Sequence, residues 1–327
     1  MDHVKIGLIG GSGLGAALSA QTEGTRHEVD TPFGKPSDSI LETHWAGLDV
    51  LILNRHGPGH LLNPSQVPYR ANIFALKKLG CTHILASGAV GSLRDEFKPR
   101  DLVIPDQIID KTSCRAGTFY ERAAVHVEFA EPFCPVLRRI LKEEGTGGMG
   151  QGASHGYSAL APDPSPLAPD PSPLTVHDRG CYVAMEGPAF STRAESLMHR
   201  IWGGDLIGMT CMPEAKLARE AEIAYALIAL VTDYDCWKAP PARKADETAQ
   251  KPDPFVLLNE IIGNLKVATE NAIELMKRTV RKMSSLTPDS LESPAHHALR
   301  LGIWSEKGRI DHQEIQRLAP LWIKYFG

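Results

Sequence analysis

Seven short apolar runs recur between residues 5 and 231, and stretches with helical spacing lie between them. That alternation constrains the chain to an α/β architecture. Strands buried on both faces read as continuous apolar runs, and helical crossovers join them. The expected strands are 5–9, 50–53, 84–87, 102–104, 182–185, 206–209 and 224–231. Expected helices are 69–79, 136–144, 192–201, 213–222 and a long one within 254–282. In the last, Leu257, Leu258, Ile261, Ile262 and Leu265 form a stripe at helical spacing. The expected fold class is α/β, with a mixed central sheet flanked by helices.

The pattern gives no boundary inside residues 1–283, which read as one domain. Two segments are foreign to it. Residues 145–174 are rich in Gly, Ser and Pro, and Ala161–Leu167 is duplicated in Ala168–Leu174. Such a segment cannot bury a core and reads as a surface insertion. Residues 284–327 read as a linker and a helical appendage, with a short helix over 311–325.

With 35 basic against 39 acidic residues, the net charge of -4 offers no basic excess for nucleic acid. No run approaches the ~20 apolar residues of a membrane span, and the start of the chain does not read as a signal peptide. The six cysteines form no C-x-x-C pair and no zinc-ligand spacing, so reduced thiols and a cytoplasmic location are expected.

Open α/β sheets bind ligands at the carboxyl ends of their strands, and six strand ends here carry usable groups. The last run stops at Thr232-Asp233-Tyr234-Asp235. Two like charges side by side are costly unless something uses them. The first run ends in Gly10-Gly11-Ser12-Gly13, whose backbone amides and hydroxyl suit an anion. It also fits a loose dinucleotide fingerprint, Gly11-x-Gly13-x-x-Ala16, with Asp30 at the distance of a ribose contact. No second apolar strand leads into Asp30. Arg55-His56-Gly57 offers a fork of donors suited to phosphate. Gly88 and Ala89 open space against backbone. Phe190 and Ser191 suit the face and edge of a flat ring, although Thr192 and Glu195 also fit a capping box. Met209 and Thr210 close another strand, as core filler and helix cap or as ligand contacts. A nucleoside together with inorganic phosphate would use all of these groups.

The segments Asp30–Asp38, Arg55–Asn72, Glu186–Ser196 and Thr232–Lys238 are similar to those of the 5'-methylthioadenosine phosphorylases, in the trimeric branch of the purine nucleoside phosphorylases. The resemblance covers residues 4–280 apart from the proline-rich insertion. It implies phosphorolysis of 5'-methylthioadenosine to adenine and 5-methylthioribose 1-phosphate, a purine and methionine salvage reaction. Phosphate would be a co-substrate, with no cofactor and no metal. It assigns Ser12, Arg55, His56, Gly88, Ala89 and Thr210 to phosphate, and Phe190, Ser191, Met209 and Tyr234 to the nucleoside. His126 would close the 5' end of a neighbouring subunit's site, which implies a homotrimer. Asp233 and Asp235 would be the catalytic pair facing the purine, with Asp233 sharing a proton with N7 and Asp235 supporting it. The 6-oxopurine branch has Asn at the Asp233 position and Glu at the Ser191 position, so both residues favour a 6-aminopurine.

Three departures qualify the resemblance. Gly88 stands where a phosphate-binding threonine is expected and Gly208 where an asparagine is, and 239–252 does not follow the pattern. The rival readings are a methylthioinosine, inosine or adenosine phosphorylase, a dinucleotide-dependent oxidoreductase, and a non-catalytic nucleoside-binding protein.

Overall fold

The computed structural model describes residues 3–11, 13–20, 22–146, 174–238 and 254–326. Ser12, the proline-rich insertion from 147 to 173 and the departing segment 239–252 lie outside the described residues. Among the described residues, eleven strands form one mixed sheet. In chain order the strands are β1 (Lys5–Gly10), β2 (Thr25–His27), β3 (Ile40–Trp45), β4 (Leu48–Asn54), β5 (His83–Ser92), β6 (Leu102–Val103), β7 (Gln107–Asp110), β8 (Val176–His177), β9 (Cys181–Ala184), β10 (Leu206–Gly208) and β11 (Ala224–Asp233). The helices are α1 (Leu14–Ala20), α2 (Tyr69–Lys78), α3 (Pro135–Thr146), α4 (Arg193–Ile201), α5 (Cys211–Glu220), α6 (Pro254–Ser284), α7 (His312–Arg317) and α8 (Ala319–Trp322).

All seven apolar runs are strands, and the α/β fold with a mixed sheet flanked by helices is as expected. The sequence reading missed β2, β3, β7 and β8. Three of these are short with partly exposed patterns, and the fourth, β3, is interrupted by three consecutive polar residues, Glu42, Thr43 and His44. None has the continuous apolar signature of a strand buried on both faces.

One core lies between the sheet and α2, α5 and α8, and a second between its other face and α1, α3 and α6. The chain after α6 is not detached. Leu299, Ile315, Leu318, Leu321 and Trp322 are buried in the first core, and Leu291 in the second. The stretch expected as one terminal helix is broken into α7, α8 and a final 3-10 turn.

His83 ties this tail to the sheet. It is fully buried at the start of β5, and its Nε2 donates to the Leu291 carbonyl at 2.9 Å. Burial pushes its imidazole down from 6.5 to about 4. The unfolded chain therefore takes up a proton between these pH values that the folded chain refuses. Stability is lost as pH falls from 6.5 to about 4, by at most about 3 kcal/mol from this group. The thermal midpoint of His83→Gln is expected to fall less over that range than that of the wild type. Parallel curves would exclude His83 as a source of the acid lability.

The pairing of β5 creates the site. On one edge β11 runs beside it from His83 to Gly91. On the other edge β1 stops at Ala86, and β10 joins only at Gly91 and Ser92, antiparallel. Ser87–Val90 therefore lack a strand partner on that edge among the described residues. Gly88 and Ala89 line a cleft there.

Candidate active site

A cleft of about 510 Å³ opens at this gap. Gly11, His56, Gly88, Ala89 and Thr210 line one end. Asp233, Asp235, Ser191 and Phe190 also line it, with Met209 among the wall residues. Strand ends separated by more than two hundred residues thus meet in one place, as an open α/β sheet allows. Three predicted residues, Arg55, Tyr234 and His126, do not line it. Tyr234 turns outward, with the Lys238 ammonium 3.8 Å from its ring centroid. The His126 ring packs on Trp304 instead, with centroids 4.4 Å apart.

The part of the cleft near Gly11 presents backbone and one imidazole. The Gly11 amide donates to Ser87 Oγ at 3.3 Å, which ties the loop after β1 to β5. His56 Nδ1 lies 2.8 Å from the Leu62 carbonyl, so Nδ1 carries a proton and donates. Its ring stacks on His60 with centroids 4.2 Å apart. Burial, reinforced by the Arg55 charge and by His60, pushes the His56 imidazole down to about 4. At neutral pH its Nε2 is therefore an acceptor in the unliganded chain.

Arg55 stands behind the wall. It is fully buried and grips Glu214 through two bonds of 2.7 Å, from Nε and Nη2. Its Nη1 donates to the Ser87 carbonyl at 2.7 Å, directly beneath the Gly11 loop. Burial opposes charge on the guanidinium, but the Glu214 carboxylate outweighs it and raises the pKa above the ordinary value. The tyrosine hydroxyl of Tyr225 donates to Glu214 Oε1 at 2.8 Å.

The carboxylate pair is not aligned by strand periodicity alone. Thr232 Oγ1 donates to Asp233 Oδ2 at 2.6 Å, and the Asp235 amide donates to Asp233 Oδ1 at 2.7 Å. That second bond closes a tight turn, in which Asp235 takes a left-handed backbone with φ 49°. The turn brings the second carboxyl back to the cleft. Both Asp233 oxygens are occupied, whereas Asp235 Oδ2 is buried with no hydrogen-bond partner. Burial first, and then the Asp233 charge, raises the Asp235 carboxyl above its ordinary range, although Ser196 and Ser191 work against this. Ser191 Oγ also meets the Met185 sulfur at 3.7 Å, and its carbonyl accepts from Cys236 Sγ at 3.3 Å. The capping box of Thr192 and Glu195 forms as expected and leaves Ser191 free of it.

Several cleft residues escaped the sequence reading. Ile261 and Leu265 come from α6, where their stripe looked like ordinary core. Thr232, Cys236 and His60 flank predicted residues.

The departure at Gly208 has a steric reason. A Cβ there would stand 2.1 Å from the hydroxyl of fully buried Tyr182. Gly208→Asn is therefore expected to destabilise the fold by about 1–3 kcal/mol through overpacking, and adding Tyr182→Leu should recover part of the loss. A thermal midpoint unaffected by Gly208→Asn would contradict this. A Cβ at Gly88 would lie 3.1 Å from Thr210 Oγ1, so a larger residue there presses on that hydroxyl.

Among the described residues no group of three or more His, Cys, Asp and Glu could hold a metal ion, and no helix is long and apolar enough to cross a membrane. Residues 5–281 match the family model described as the phosphorylase superfamily. The chain is 42% identical over 328 residues to the S-methyl-5'-thioadenosine phosphorylase of Synechocystis sp., covering 100% of this chain and 89% of that protein. It is similar to the crystal structure of a methylthioadenosine phosphorylase from an antarctic soil metagenomic library, with TM-score 0.79 and 40% identity over 98% of this chain and 99% of that one. It is also similar to the methylthioadenosine phosphorylase of Schistosoma mansoni in complex with adenine, with TM-score 0.75 and 35% identity over 93% of this chain and 100% of that one. The chain belongs to the phosphorylase superfamily and, within it, to the family of the S-methyl-5'-thioadenosine phosphorylases.

Proposed function

We propose that this protein cleaves S-methyl-5'-thioadenosine with inorganic phosphate, giving adenine and 5-methylthioribose 1-phosphate. One observation carries the reading most directly. A single cleft joins an anion-suited backbone end to a pair of carboxylates, in a chain similar over nearly its whole length to phosphorylases of this substrate.

Chemically, a phosphate oxygen bonds to C1' of the sugar while the C1'–N9 bond breaks, and the base accepts a proton at N7. Phosphate lies against Gly88, Ala89, Thr210 and His56, with Ser12 reaching it from the first loop. Arg55 supplies positive charge from beneath. The anion also stabilises the cationic sugar as the bond breaks. Met209 packs at the sugar and Phe190 and Ser191 at the purine, with Tyr234 supporting the turn behind it. Asp233 and Asp235 share the proton needed at N7. A carboxylate accepts from the 6-amino group and repels a 6-oxo group, so the pair favours adenine. Phosphate is then a co-substrate, and no cofactor or metal enters the reading.

The same reading includes a homotrimer whose neighbouring His126 closes each site, and a cytoplasmic location. It treats 1–283 as the phosphorylase domain, with the insertion at 145–174 and the residues from 284 docked upon it. Neither nucleic acid nor membrane is a partner in it. The dinucleotide alternative is disfavoured because Asp30 is exposed and does not line the cleft.

The test is to incubate the protein with methylthioadenosine, with and without phosphate, and to measure free adenine. Adenine should form only with phosphate. Equal release without phosphate would point to hydrolysis, and binding without release to a nucleoside-binding protein. A panel with inosine, adenosine and methylthioinosine separates the related phosphorylases.

A further inference from the structure

Outside the cleft, one buried cation joins three of the segments that build its walls. Arg115 lies in the loop after β7, and its side chain is 2% exposed. Its Nη1 donates to the Met209 and Met212 carbonyls, and its Nη2 to those of Met185 and Glu186. Its Nε meets the Glu186 carboxylate at 2.9 Å, and Nη1 also reaches the Tyr69 hydroxyl at 3.2 Å.

Glu186 extends the connections. Its Oε2 accepts the amides of Ser113 and Cys114 at 2.7 and 3.0 Å. Ser65 Oγ donates to the Glu186 carbonyl at 3.1 Å, and Tyr69 donates to the Pro64 carbonyl at 2.9 Å. Burial would raise the Glu186 carboxyl, but these amides and the Arg115 fork hold it down at about 2. The pair is thus a fixed ion pair at neutral pH.

The segments so joined are those that carry His60 and Pro64, Met185 and Pro188, and Met209 and Thr210 to the cleft. The 185–188 and 209–212 segments reach the hub through backbone carbonyls, and 60–65 through Ser65 Oγ and the Pro64 carbonyl. Backbone carbonyls fix where a loop sits, whatever its side chains. A planar fork meets several carbonyls at set angles, which a single ammonium cannot do.

We infer that Arg115, with Glu186, is a positioning residue that sets the spacing of the three wall segments around the nucleoside. It touches no reacting atom. Its effect on turnover rests on the phosphorolysis reading above, whereas its effect on the wall segments does not.

The test compares wild type, Arg115→Lys and Arg115→Met by steady-state kinetics, thermal melting and amide hydrogen exchange. Misplaced walls weaken binding in ground and transition state alike, so KM for methylthioadenosine should rise, by about 100-fold in Arg115→Met. Arg115→Lys should melt near the wild-type temperature and still show a raised KM. In it, exchange should quicken at 60–65, 185–188 and 209–212 but not in β5 or β11. Wild-type KM and wild-type exchange in Arg115→Lys would overturn the inference. So would loss of activity that only tracks loss of folded protein. A wild type that forms no adenine would reject the phosphorolysis reading alone, because the exchange comparison still decides the hub.

Discussion

Asp233→Asn is expected to lower kcat/KM for methylthioadenosine by about 10²–10⁴-fold, the range for losing a positioned proton donor or acceptor. An amide cannot share a proton with N7 as a carboxyl does, and it presents an amino group where the carboxylate accepted one. Turnover of 6-oxopurine nucleosides should fall less, because the new amide can donate to their oxygen. The ratio of inosine to methylthioadenosine turnover therefore rises. Unchanged turnover of methylthioadenosine would remove Asp233 from the mechanism.

Asp235→Asn separates the two carboxyls. Asp235 has the unpartnered buried oxygen and the raised pKa, whereas both Asp233 oxygens already accept internal bonds. With the protonated Asp235 carboxyl as the active form, kcat/KM falls as pH rises through its raised pKa. Asp235→Asn removes that titrating group, and the alkaline limb should be lost. A pH profile identical to the wild type would make Asp235 a bystander. The structure thus moves weight towards the residue that the sequence left in the supporting role.

That difference shows what a sequence can carry. β1, β4, β5 and β11 were legible because most of their residues are buried, which leaves an apolar run. β2, β3, β7 and β8 gave no such run. Among site residues, those at strand ends were legible because topology alone gathers strand ends. Glu214 was not, since it lies 159 residues from Arg55 and looks like any polar residue of a helix. Arg115 and Glu186 act on backbone carbonyls far along the chain, which leaves no local pattern. The turn at Asp235 depends on a side chain capping a backbone amide, which i and i+2 spacing does not express. Tyr234, between the two aspartates, turns outward for the same reason.

Glu214→Ala should carry the largest cost in stability. The Glu214 side chain is 1% exposed and takes the Nε–Nη2 edge of a guanidinium that is wholly buried. Removing one partner of such a pair costs about 3–5 kcal/mol, because the other charge stays buried and uncompensated. The Tyr225 hydroxyl loses its acceptor as well. Replacing both ions by apolar residues of similar size removes that penalty, so Arg55→Met with Glu214→Met should recover most of the stability. The double variant should nevertheless bind phosphate poorly, since the positive charge beneath the Gly11 loop is gone. Stability and phosphate affinity would then part company, with folding restored and KM for phosphate still raised. Recovery of both would make the ion pair a structural device and deny Arg55 any share in phosphate binding. If Glu214→Ala is within 1 kcal/mol of the wild type, Arg55 must find another anion or water to face, and the pair is not what holds β4 to α5.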